Sequence, residues 1–117
     1  MHKNTTEISE FQQSGDSESK LLATVVTAGS VGDGARFSVF VEGRVDGSPS
    51  DARFYEAHGV FGADGGSGQC NADERDVAVN APPSLALSPD GDLKLLATYT
   101  DPVTVNWKIR VTVESFG

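Results

Sequence analysis

The chain is short of the side chains that most chemistry needs. Its 117 residues include one cysteine, Cys70, which excludes a disulfide within the chain. The two histidines, His2 and His58, are both distant from Cys70 in sequence, so the thiol reads as an ordinary side chain in a Gly- and Asp-rich stretch. Phosphate-loop glycine spacing, zinc-ligand spacing and a nucleophile elbow are all missing. Basic residues are scarce: 9 Lys and Arg stand against 17 Asp and Glu, for a net charge of −8. They are also scattered, which argues against nucleic acid, because counterion release from phosphates needs a basic patch. No apolar run is long enough to cross a membrane as a helix. The start, Met1-His2-Lys3-Asn4-Thr5-Thr6, lacks the apolar core of a secretory signal, so synthesis in a cytoplasm is expected. Hydrophobic residues make up 38% of the chain, against about 45–50% in globular domains when Gly is counted. One domain with a thin core follows, and association with further copies would help it.

What the chain does hold is strand and turn. Residues 1–19 are nearly all polar, with Ile8 and Phe11 the large apolar residues after Met1. A spacing of three would put both on one side of a short helix capped by Thr5 or Thr6. Two such contacts cannot hold a helix alone, so residues 1–19 read as a disordered tail in the free protein, and in the sharper reading as an extended or partly helical arm that orders on a partner through Ile8 and Phe11. Residues 20–117 read as a single all-β domain, a β-sandwich or jelly-roll-like body of seven or eight strands. In Arg36–Val45, Phe37, Val39 and Val41 share one side. Asp46-Gly47-Ser48-Pro49-Ser50-Asp51 and Ser88-Pro89-Asp90-Gly91-Asp92 are turn signals. A strand over Ala52–Gly62 carries Phe54, Tyr55, Val60 and Phe61. Ala63–Glu74 reads as a glycine-rich loop, followed by a short strand over Asp76–Asn80. The clearest alternation is Thr104–Val113, where Val105, Trp107, Ile109, Val111 and Val113 interleave with Asn106, Lys108, Arg110 and Thr112. Phe37, Val39, Val41, Phe54, Trp107, Ile109 and Val111 are the candidate core or subunit-interface residues.

Candidate chemistry is thin. Asp64, Asp73, Glu74 and Asp76 offer oxygen ligands, but without the order of a calcium loop they read as a solvated acidic stretch. The Asp-Gly pairs at 33–34, 46–47 and 90–91 read as turn residues. Glu56 and His58 share a strand face and pair across solvent. Trp107 reads as core or interface before it reads as a sugar platform. No catalytic residue, metal or cofactor is expected.

Three features follow one another along the chain: a strand Phe37-Ser38-Val39-Phe40-Val41-Glu42-Gly43-Arg44, then the aromatic strand Phe54-Tyr55-Glu56-Ala57-His58-Gly59-Val60-Phe61, then a Gly-rich loop. They end in Leu93-Lys94-Leu95 and Val105-Asn106-Trp107-Lys108-Ile109-Arg110-Val111-Thr112-Val113. In this order the stretch resembles a small β-rich domain of tailed-phage virion proteins. Such domains occur as capsid decoration (cement) proteins, as head fibres or as parts of tail-associated proteins. The resemblance implies a homotrimer mounted on a virion. Its leading implication is a non-enzymatic capsid decoration protein that binds the major capsid protein or another virion protein and stabilises the shell. Its alternative is a receptor- or glycan-binding module of a fibre or tail. Neither nucleic acid nor membrane is an expected partner.

Overall fold

The computed structural model describes residues 3–64, 67–80 and 82–116. Its strands are β1 (Lys3–Gly15), β2 (Glu18–Val26), β3 (Gly34–Val45), β4 (Ser48–Asp64), β5 (Ser67–Ala78), β6 (Ser84–Ser88), β7 (Leu93–Tyr99) and β8 (Val103–Ser115), with one 3-10 turn at Ala28–Ser30. They form two antiparallel sheets, in the orders β1-β8-β3-β4-β5 and β2-β7-β6. Period-two alternation explains how the sheets stack. Phe37, Val39 and Val41 of β3 and Val105, Trp107, Ile109 and Val111 of β8 are all buried. They meet Val25 and Val26 of β2 and Leu93, Leu95, Ala97 and Tyr99 of β7 in one shared core. The all-β sandwich expected from the alternation is the observed fold.

The N-terminal arm is corrected. Residues Lys3–Gly15 are an edge strand of the larger sheet, paired with β8 along its full 13 residues. No helix is present there, and successive side chains therefore alternate between faces. Ile8 and Phe11, three apart, point to opposite sides: Ile8 is 65% exposed, whereas Phe11 packs against the core opposite Trp107. The strand is polar because its outer face pairs with polar partners on β8. The Thr6 and Thr112 hydroxyls lie 3.3 Å apart, Gln12 Nε2 donates to Asn106 Oδ1 at 3.0 Å, and the Ser14 and Thr104 hydroxyls lie 2.6 Å apart. The inner face is tied by a relay: Trp107 Nε1–H donates to Tyr99 Oη at 3.2 Å, and Tyr99 Oη–H donates to Gln13 Oε1 at 2.7 Å.

The expected loop at Ala63–Glu74 is also corrected. β4 runs to Asp64 and β5 starts at Ser67, so the segment is the tip of a long hairpin; Gly65 and Gly66 lie outside the described residues. One of the misread glycines has a packing reason. A Cβ on Gly68 would sit 2.7 Å from both the Phe61 ring and the Pro89 carbonyl oxygen, so only glycine fits under the β6–β7 connection.

Candidate functional site

The three-stranded sheet covers only the inner face of the larger sheet. Among the described residues, the outer face of the five strands has no layer against it, and the register determines what stands there. One cross-strand row reads Ile8, Arg110, Phe40, Glu56, Arg75; the next reads Glu10, Lys108, Glu42, Phe54, Val77. All of these side chains except that of Glu10 line a groove of about 720 Å³. Ile8 (65%), Phe54 (46%) and Val77 (52%) are strongly exposed for their type, and Val60 joins them on the same face. A sheet face with several large exposed apolar side chains marks a binding surface.

Charge and aromatic groups are organised on this face. The Arg110 guanidinium lies 4.6 Å from the Phe40 ring centroid, and that of Arg44 lies 5.4 Å from the Phe54 centroid. His58 meets Phe40 edge-on with centroids 5.3 Å apart. Arg44 pairs with Glu42 at 3.3 Å, Lys108 with Glu10 at 3.7 Å and Arg36 with Glu114 at 2.9 Å.

Ser38, His58 and Glu56 look at first like a hydrolytic triad. The Ser38 hydroxyl is 3.1 Å from His58 Nδ1, and His58 Nε2 is 3.8 Å from Glu56 Oε2. β3 lies between β8 and β4, so the backbone amides around Ser38 are held in the sheet ladders and none is left to stabilise an oxyanion. The trio orients His58 against Phe40. Among the described residues, no group of three or more His, Cys, Asp or Glu side chains converges as a metal cage. On β5, Asp73 stands on the outer face and Glu74 and Asp76 on the inner one. Glu74 accepts a hydrogen bond from Tyr55 Oη at 2.6 Å, and Asp76 takes both its oxygens to Arg53 Nη1 at 2.6 Å.

The sequence candidates divide between the two faces. Phe37, Val39, Val41, Trp107, Ile109 and Val111 are core, whereas Ile8 and Phe54 face outward into the groove. Phe40, Arg75 and Arg110 were missed as site residues. They sit at the phase of the alternation that reads as the wet face, and the available signal was a phenylalanine at that phase in Phe40.

Both tyrosines are masked from solvent. Burial pushes the Tyr55 phenol well above its ordinary value near 10, and the hydrogen bond to Glu74 and the nearby negative charge add to this. Burial also raises Tyr99, partly offset by its hydrogen bond from Trp107. A folded-state pKa above the unfolded one contributes stability that is fully present below about pH 10 and is lost as pH rises beyond it. In a titration followed at 295 nm, the native protein should show less tyrosinate at pH 10 than the urea-unfolded chain, which should be about half ionised there. Half-ionisation of the native protein at pH 10 would contradict the buried placement of both rings.

No family model and no curated protein matches the chain. Solved structures do share the fold. The tailspike protein gp49 of Acinetobacter baumannii bacteriophage Fri1, described as a capsular polysaccharide depolymerase, is similar over 97% of this chain with a TM-score of 0.56 and 18% identity. The tailspike of Acinetobacter phage vB_ApiP_P1 is similar over 97% with a TM-score of 0.51 and 15% identity. That of Acinetobacter baumannii phage AM24 is similar over 94% with a TM-score of 0.50 and 9% identity. The chain spans 18%, 22% and 26% of those three proteins respectively. The neighbours are tail-associated phage proteins, and none is a capsid decoration protein. The depolymerase among them runs against the expectation of a wholly non-enzymatic setting.

Proposed function

We propose that this chain is a receptor-binding module of a phage tail-associated virion protein, and that it holds a bacterial surface saccharide in the outer-face groove without cleaving it. The carrying observation is the groove itself, an open face on which Phe40, Phe54, Ile8 and Val77 stand beside charged donors and acceptors. Apolar ring faces with convergent polar groups suit the mixed C–H and hydroxyl surface of a sugar. The tailspike neighbours support this reading over capsid decoration, since one of them is described as acting on capsular polysaccharide. Binding without cleavage is supported by the openness of the face to water and by the lack of oxyanion donors near Ser38. A homotrimer belongs to the same proposal, because three copies would multiply weak sugar contacts through avidity. Sedimentation equilibrium would test it by showing three times the monomer mass.

Titration calorimetry of the full chain against purified bacterial surface polysaccharides tests the binding. Phe54→Ala should weaken the interaction roughly tenfold, a loss of about 1.4 kcal/mol, with an unchanged circular dichroism spectrum. Reducing ends should not accumulate in the mixture. Failure to bind any polysaccharide would remove the reading, and release of reducing ends would make the chain an enzyme.

A further inference from the structure

The charges on the groove specify its ligand further than the fold does. Five of the nine Lys and Arg residues stand on this one face: Arg36, Arg44, Arg75, Lys108 and Arg110. Three of them are neutralised in place, Arg36 by Glu114, Arg44 by Glu42 and Lys108 by Glu10. Arg75 and Arg110 have no carboxylate partner among the described residues, although the chain carries 17 acidic residues. Glu56, the register neighbour of Arg75, has its carboxylate near His58 at 3.8 Å. Both unpaired guanidinium groups line the groove.

We infer that the groove takes an acidic saccharide, with Arg75 and Arg110 receiving its carboxylate or other anionic substituents. This rests on the saccharide-binding reading above. Arg75 on β5 and Arg110 on β8 share one cross-strand row with two strands between them. Three inter-strand steps put their backbones roughly 14 Å apart. An oligosaccharide of a few units crosses that distance, so two charged substituents on one chain can be met together. Arg110 is already braced over the Phe40 ring, which lowers the cost of ordering its planar fork for an anion. A neutral sugar lying over the same groove would strip water from both guanidinium groups and return no charge to either. The chain's net charge of −8 repels anions at long range, so the attraction must be local, and it should be screened by salt over about 8 Å at physiological ionic strength.

The test is an array of acidic and neutral bacterial polysaccharides probed with the full chain, each acidic hit being measured again after carbodiimide-mediated reduction of its carboxyl groups. Acidic hits that are lost on reduction support the inference. Arg75→Gln and Arg110→Gln should each weaken them roughly tenfold, whereas Lys94→Gln on β7 should leave them unchanged. Equal binding to neutral or reduced polymers would overturn the acidic preference and leave the saccharide reading standing. An array with no hits would overturn both. Hits that ignore the two arginine variants would place the site elsewhere, and self-association abolished by either variant would make a second copy of the chain the occupant; each result overturns the inference.

Discussion

Deleting residues 1–15 is expected to abolish cooperative folding or to lower stability by about 5 kcal/mol or more. β1 is polar, and as a free arm it would cost nothing to remove. In the sandwich it satisfies the outer edge of β8 along 13 residues and places Phe11 over the core opposite Trp107. It also supplies Gln13, whose side chain accepts from Tyr99 Oη and donates to the Leu21 carbonyl at 3.2 Å, linking β1, β7 and β2. Without β1, one side of the Trp107 ring faces water, the Tyr99 hydroxyl loses its acceptor and a new unpaired sheet edge is exposed. Domains of this size carry about 5–15 kcal/mol in all, so the deletion approaches the whole. Thermal unfolding followed by far-ultraviolet circular dichroism is the measurement. A truncated chain that melts within a few degrees of the full one would mean that β1 is no part of the folded body.

Trp107→Ala is the second large effect, expected to cost about 3–5 kcal/mol. Trp107 is 2% exposed and is the largest fully buried side chain. Its ring lies against the backbone of its register partner Gly43, where any Cβ would overlap the indole, so the surrounding sheet cannot close over the space left behind. The substitution also leaves Tyr99 Oη without its donor. Urea unfolding reads the loss as a shift of the midpoint at constant slope. Trp107→Phe should recover much of the stability, because an aromatic ring still fills most of the volume and Tyr99 keeps its bond to Gln13. An alanine variant within 1 kcal/mol of the parent would show that the ring is not packed as described.

Contacts between distant parts of the chain underlie both effects, and they also conceal structure from the sequence. Residues 1–15 hid a strand because an edge strand draws its stability from a distant partner: Thr6, Gln12 and Ser14 look like a solvated tail until Thr112, Asn106 and Thr104 stand beside them. Gly68, within Ala63–Glu74, looked like part of a loop because glycine serves both a turn and a close approach, and the neighbour that requires it lies some twenty residues further on, at Pro89. The groove was missed for a related reason. Arg75, Phe40 and Arg110 are unremarkable one at a time, and only the register brings them into one row.

Composition and alternation were enough to establish an all-β body and the buried phase of β3 and β8. Those properties are local, because a side chain's face follows from its parity along its own strand. Which strands lie side by side, which guanidinium groups stay unpaired and which sheet face remains uncovered depend on pairings between residues as much as 112 positions apart. Such pairings form only once the chain has folded back on itself, so the groove became visible in the assembled sandwich.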